Sequence, residues 1–183
     1  MIGVIDLASG NNQIPERLIN FNVYGNDNTL YGMANITLPV IAAMTEVVKG
    51  AGIAGEVDSP VLGHFSSMTT TFTWRTIEKD ALVLAQQKAH DIDVRGAQQV
   101  FDGASGEYNV TPVRLAMRVV PKTVTLGTFD PGVTTGTTQD FEVLYLKVFI
   151  DSKEVCEIDK YNYVAKFGET DIADKIRSAL GLG

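Results

Sequence analysis

The chain is expected to fold as an α+β domain dominated by an antiparallel β-sandwich or barrel, with two helices. Three observations carry this. Segments of apolar–polar alternation recur along the sequence between clusters of Gly, Asn and Asp. Only two segments, 77–90 and 170–180, space their apolar residues as a helix does. The length of 183 residues and the 45% hydrophobic content suit one substantial core, and so a single domain.

Taken in order, residues 1–13 contain Gly10-Asn11-Asn12 and are assigned to a flexible N-terminal arm, leaving 14–183 as the folded domain. Leu18 to Tyr24 alternates, with Ile19, Phe21 and Val23 on one face. Gly25-Asn26-Asp27-Asn28 then supplies the turn into a second strand, Leu30 to Leu38. Pro39 ends that strand, and Val40 to Lys49 is short and apolar with no decisive period. Gly50 to Gly63 holds four glycines and Pro60 and reads as a long irregular loop. Compact domains seldom keep such a loop unless it is functional.

Ser66 to Thr76 reads as a two-faced strand. Ser67, Thr69, Thr71, Thr73 and Arg75 form a wholly polar face, and Met68, Phe72 and Trp74 lie on the other, as in a sheet with one wet side. Ile77 to His90 is the first helix, with Ala81, Leu82, Leu84, Ala85 and Ala89 opposite Glu78, Asp80, Gln87 and Lys88. Strands are expected at 92–101, 111–121 and 141–150. The last is central, being apolar on both faces apart from Glu142 and Lys147. Asp151-Ser152 is the tight turn into a final strand, 153–164. Thr170 is read as the N-cap of the second helix, with Ile172, Ile176 and Leu180 on one face and Gly181 as its stop.

Composition excludes several functions. A net charge of −7, with 15 basic residues scattered among 22 acidic ones, argues against a nucleic-acid binder. Cys156 is the only cysteine, so an intramolecular disulfide or a cysteine-rich metal site is ruled out; it sits in an alternating strand as a small buried hydrophobe. The N-terminus lacks the pattern of a secretory signal, and no apolar run approaches the ~20 residues of a membrane span. Gly50-Ala51-Gly52-Ile53-Ala54-Gly55 satisfies the dinucleotide-binding G-x-G-x-x-G, but Pro60 and Gly63 forbid the helix that this motif must open. His64 and His90 stand apart from any second metal ligand, and Asp91 with Asp93 reads as a solvated strand edge rather than an acid–base pair. No enzyme, cofactor or metal is expected.

Several blocks, in order, carry a family resemblance. They are Ile14-Pro15-Glu16-Arg17-Leu18-Ile19-Asn20-Phe21-Asn22-Val23-Tyr24, Met33-Ala34-Asn35-Ile36-Thr37-Leu38-Pro39, Lys49 to Gly55 with Gly63-His64-Phe65, Asp151 to Asp159, and Ile172 to Leu182. Together they resemble the major tail tube proteins of contractile-tailed phages and R-type bacteriocin-like particles. The resemblance implies a structural subunit of hexameric rings, whose inner strands join into one continuous barrel and whose rings stack into the inner tail tube. It implies a conduit for DNA and a shaft driven through the target envelope when the sheath contracts. The implied partners are the chain itself, the tail sheath protein, and the baseplate and tail terminator proteins. DNA is transported cargo only, there is no membrane anchor, and the protein resides in the virion after assembly in the host bacterial cytoplasm.

Within that picture Ser67, Thr69, Thr71, Thr73 and Arg75 are expected to line the lumen. Segment 39–66 is expected to be an assembly loop reaching a neighbouring subunit or ring through Val40, Ile41, Met44, Val47, Val48, Lys49, Gly50, Gly52, Ile53, Gly55, Val61 and Leu62. Exposed apolar residues in an irregular segment otherwise lack a reason. Two alternatives stand beside this: a tube or ring component of a bacterial secretion system, and a monomeric small-ligand-binding β-barrel.

Overall fold

A computed structural model of the chain describes residues 13–26 and 28–182, excluding the side chains of residues 33 and 34. Apart from Gln13, the expected N-terminal arm lies outside the described residues. In chain order the elements are β1 (Gln13–Gly25), β2 (Leu30–Tyr31), β3 (Met33–Thr37), β4 (Ala43–Lys49), β5 (Glu56–Phe65), β6 (Thr69–Trp74), α1 (Lys79–Leu84), β7 (His90–Asp102), β8 (Glu107–Thr125), β9 (Thr137–Ile150), β10 (Lys153–Asp159), β11 (Val164–Phe167), β12 (Thr170–Asp171) and α2 (Asp174–Leu180). The fold is mostly antiparallel sheet with two short helices, as expected.

The main sheet runs β12-β11-β10-β9-β8-β7-β1-β2, and β6 pairs with both β9 and β3. Only Gly32 separates β2, which pairs with β1, from β3, which pairs with β6. The path β1–β7–β8–β9–β6–β3 therefore returns to its start, and the wall closes around the core. Closure leaves fewer open edges than a flat sheet of the same strands. The expected hairpin of Leu18–Tyr24 with Leu30–Leu38 forms only through β2; beyond Gly32 the second strand crosses to β6.

β9 is central, as its apolar character predicts. It keeps β8 along one side, while on the other Thr137–Glu142 pairs with β6 and Tyr145–Ile150 with β10. At the handover, Val143 N donates to Met68 O (2.7 Å) and Lys160 N to Leu144 O (3.4 Å). The Glu142 carboxylate fills the junction, accepting hydrogen bonds from Ser67 Oγ, from Met68 N (3.3 Å) and from Lys160 Nζ (3.2 Å). Two prolines in long β8 sit where one flank has no strand. Pro112 pairs with Ala97 of β7 just before β9 pairing begins at Val113, and Pro121 pairs with Phe141 of β9 beyond the end of β7 pairing at Val119. There the missing N–H breaks no ladder.

Trp74, Phe72, Phe141, Met68, Leu84, Leu146 and Ile158 fill the interior, with the Phe72 and Phe141 rings 4.7 Å apart. Buried polar groups are paired. Trp74 Nε1 donates to Gln139 Oε1 (3.0 Å), and Gln139 Nε2 donates to Ala81 O (2.7 Å), which straps α1 across the core.

The helices are shorter than their patterns suggest. α1 stops at Leu84, and of the expected stripe only Ala81 and Leu84 are buried, while Leu82 is 51% exposed. β7 already pairs from His90, so the chain must unwind before reaching it. Thr170 lies in β12, and Ala173 holds the N-cap of α2 without a side-chain cap. No residue of α2 is buried, so its apolar face rests on the subunit without entering the core; Gly181 does stop it, at φ 71°. The expected last strand breaks into β10 and β11 because Asp159 Oδ1 accepts from Tyr161 N and Asn162 N (3.0 Å each) and folds a turn. Asp151 (φ 49°) and Ser152 (φ 61°) form the tight turn anticipated between β9 and β10.

Two outcomes follow from these buried polar groups. Gln139→Ala orphans Trp74 Nε1 and leaves Ala81 O with only its helical bond from Ala85 N (3.1 Å), and should lower unfolding free energy by about 1–3 kcal/mol in urea denaturation followed by Trp74 fluorescence. Burial opposes the charge on Glu142, but the hydrogen bonds from Ser67 and Lys160 outweigh it and hold its pKa below the usual value. Its stabilisation is thus complete above the unfolded glutamate pKa of about 4.3 and is lost as pH falls through the lower native value. Melting temperatures taken from pH 6 down to pH 3 should fall less steeply for Glu142→Gln than for the unsubstituted chain.

Candidate assembly surfaces

β4 and β5 form a two-stranded antiparallel sheet outside the main one, in register from Ala43↔Phe65 to Lys49↔Glu56. The segment expected to be irregular, 50–63, is therefore strand from Glu56 onward, and only the tip is irregular. Pro60 is tolerated because β5 has a single partner strand. No core lies under the ribbon to impose alternation, so the sequence shows none. Gly50, Gly52 and Gly55 have φ of 146°, 92° and 129°, yet a Cβ on any of them would meet nothing within 4 Å. They serve the turn, not a close approach inside the subunit. Two antiparallel strands flank this G-x-G-x-x-G, an arrangement that lacks the crossover a dinucleotide site requires.

The structure gathers all the expected assembly residues on this hairpin. Val40 and Ile41 lead into it, Met44, Val47, Val48 and Lys49 lie on β4, Gly50, Gly52, Ile53 and Gly55 make the tip, and Val61 and Leu62 lie on β5. Val40 is 73% exposed, Leu62 60%, and Val47, Val48 and Ile53 are exposed as well. Sequence reasoning missed Val57, also exposed, which register sets beside Val48. The hairpin is anchored only at its base. Gly63 (φ 70°) lies so close to α2 that an added Cβ would stand 3.0 Å from Ile176 Cδ1, Phe65 packs on the core and against Phe167, and Ser66 N donates to Ala42 O (2.9 Å).

The expected lumen residues divide. Thr69, Thr71 and Thr73 lie on β6, half-buried, alternating with buried Thr70, Phe72 and Trp74. Thr71 Oγ1 donates to Asp140 (2.6 Å), and Lys122 Nζ reaches Thr69 Oγ1 (3.3 Å). Ser67 and Arg75 fall outside the strand. Ser67 is committed to Glu142, and the Arg75 carbonyl accepts from Thr135 N (2.9 Å), tying down the loop before β9.

The outer face of β7–β10 carries a web of ion pairs that the sequence did not reveal. Asp91, Asp93 and Arg95 alternate with buried Ile92 and Val94, and Arg114 and Arg118 alternate with buried Leu115, Met117 and Val119. Asp91 holds Arg118 (2.7 Å), and Asp93 holds both Arg114 (2.7 Å) and Arg95 (2.6 Å). β1 pairs with β7 only as far as Ile92, so Asp93 is interior, between β1 and β8, while Asp91 lies one residue beyond at a strand edge as expected; both are clamped by arginines. Lys147 bridges Glu154 (2.8 Å) and Glu157 (3.3 Å), and Lys166 reaches Glu154 (3.0 Å). The Asp91 hydrogen bond raises the Arg118 pKa, and the Glu154 hydrogen bond raises that of Lys147; burial and then Glu157 push Tyr145 up to about 12. Arg118, Lys147 and Tyr145 keep their neutral-pH ionisation states, and each cation of the web is engaged by a carboxylate.

The histidines make local contacts. His64 Nδ1 lies 2.9 Å from Leu62 O and its ring meets Tyr163, while His90 Nε2 lies 3.1 Å from Gln86 O. Among the described residues no three His, Cys, Asp or Glu are grouped to hold a metal ion, and no helix is long and apolar enough to cross a membrane.

Residues 15–181 match the family model described as phage tail tube protein FII. The major tail tube protein of Serratia phage KSP20 is 24% identical over 172 residues, covering 93% of this chain and 98% of that protein. The tail tube protein of Escherichia phage P2 is 26% identical over 174 residues, covering 92% and 99%. Among solved structures, the sheath/tube terminator of an extracellular contractile injection system, PVC, aligns with a TM-score of 0.47 at 14% identity, over 74% of this chain and 96% of that one. The sheath–tube complex of the same system aligns at 0.42 and 16%, over 71% and 86%. With nearly its whole length matched, the chain belongs to the phage tail tube protein FII family, a family of structural virion components and not of enzymes.

Proposed function

We propose that the chain is the repeating subunit of the inner tail tube of a contractile phage tail, or of a particle derived from one. Six copies form a ring, rings stack into a hollow tube inside the sheath, and the tube conducts DNA and serves as the rigid shaft on contraction. The observation that carries this is the β4–β5 hairpin. An isolated two-stranded hairpin is marginal in water, and this one exposes Val40, Met44, Val47, Val48, Val57 and Leu62, each at least 45% accessible. Such a ribbon gains stability by lying on another copy, within a ring or across the ring boundary.

Inside the ring the threonine face of β6 lines the channel with short hydroxyl side chains. The net charge of −7 discourages DNA from adhering to it. The remaining partners are the sheath, baseplate and terminator proteins, and assembly takes place in the host bacterial cytoplasm. A ligand-binding barrel needs an apolar cavity, and here Trp74, Phe72 and Phe141 occupy the interior instead.

Electron microscopy of the purified protein tests the reading. The unsubstituted chain should form long tubes. Ile41→Asp and Ile53→Asp should form none while melting within about 1 °C of the parent subunit, because exposed sites away from packing change stability little, within about 0.5 kcal/mol. Normal tubes from both variants would remove the hairpin from assembly.

A further inference from the structure

β8 and β9 are joined by residues 126–136, a loop that is built rather than slack. Gly127 (φ 84°) lies so close to the returning chain that an added Cβ would collide with Thr135 O. Thr128 N donates to Thr135 O (3.0 Å), Thr135 N to Arg75 O (2.9 Å) and Thr137 Oγ1 to Leu126 O (2.9 Å). At the tip Val133 N donates to Asp130 O (3.3 Å) across Pro131-Gly132, with Gly132 at φ 87°, the type II turn that a Pro-Gly pair favours. This stalk holds out Phe129, at 87% the most exposed large apolar side chain among the described residues. Beside it stands Asp130, the only charged residue of 126–136, whose carboxylate has no hydrogen-bond or ion-pair partner among the described residues. An aromatic ring on a rigid tip has little freedom left to lose on docking, which suits it to anchor a contact.

The opposite end of the same two strands carries a cavity that fits this tip. It measures about 320 Å³ and is lined by Gly96, Pro112, Val113 and Phe149, with Arg95 and Arg114 beside them. Asp93 pairs with both arginines (2.6 and 2.7 Å), so the three side chains together carry one unmatched positive charge. An aromatic side chain followed by a carboxylate complements an apolar hollow beside a surplus cation. Twelve residues of β8 lead from Val113 to Thr125, about 35–40 Å of strand, so no chain can place its own Phe129 in its own cavity.

We propose that Phe129 of one copy enters this cavity on a second copy, with Asp130 facing Arg95 and Arg114. The contact joins one end of a subunit to the opposite end of another, so it is heterologous and repeats along the strand direction. In the tube it lies between successive rings; the inference rests on the stacking reading above and names one of its contacts.

Substitution and cross-linking test it. Phe129→Ala should melt as the parent does, because so exposed a side chain does little for its own subunit, and should still form rings. The protein concentration at which tubes appear should rise about tenfold or more, the loss expected when a seated aromatic anchor is truncated. Asp130→Lys should raise that concentration as well, and Asp130→Glu should leave it near the parent value. Chains carrying benzoylphenylalanine at position 129, mixed as a minor fraction into unsubstituted tubes and irradiated, should yield dimers joined at residues 95–96, 112–114 or 149–152 of the other copy, read by mass spectrometry. Parent-like tube formation by Phe129→Ala, or dimers joined only elsewhere, would overturn the contact while leaving the tube reading intact. Loss of rings together with tubes in Phe129→Ala would also overturn it, by placing Phe129 inside the ring. If the unsubstituted chain forms no tubes at all, the stacking reading fails and this contact with it.

Discussion

A central strand must satisfy its backbone on both sides along its full length, and β9 does so with three partners. β8 serves one side; the other passes from β6 to β10. Neither β6 nor β10 spans the junction, so Glu142 completes it, gathering Ser67, the Met68 amide and Lys160. The rest of the architecture hangs on that joint. β6 is held against β9 and carries β3 on its other edge from Thr71 to Trp74, which closes the wall, and the chain arriving from β5 is pinned at Ser66 by Lys160 Nζ (2.9 Å). The β4–β5 hairpin is thus rooted beside this joint, although little of it touches the subunit.

This coupling separates two tasks in one chain. Folding is served by the filled interior and the strapped helix α1. In the function proposed above, contact with other copies falls to a surface that contributes little to the isolated fold, the β4–β5 ribbon. The ion-paired face of β7–β10 belongs to neither group. Its arginines and lysines are each engaged by a carboxylate, so the face presents charge without offering a free cation to a passing phosphate.

What was legible in the sequence was what a core imposes. Thr69 to Trp74 and the centre of β9 alternate or run apolar because they are buried on one face or flanked on both sides, and Asp151-Ser152 has the residues its turn demands. The ribbon was legible only as exposed apolar residues in an odd place. Without a core beneath it, strand β5 shows no alternation, and Gly63 and Pro60 read as breakers. The first four residues of β8, 107–110, were missed for the same reason, since Tyr108 and Val110 are exposed where a strand should be half-buried. The Glu142 joint and the Asp93–Arg114 pair unite residues 18 to 75 positions apart, and no local pattern announces them.

Any object built from many identical copies multiplies whatever chemistry one copy exposes. Cys156 is the chain's only thiol, and it is buried in β10, where desolvation and then the nearby charges of Glu154 and Glu157 raise its pKa. A thiol kept protonated and out of reach neither attacks a disulfide nor oxidises readily. In the tube proposed above, subunits packed side by side would therefore present no array of reactive sulfurs. In such an assembly the contacts would owe nothing to disulfides, and their strength would not follow the redox state of the surroundings.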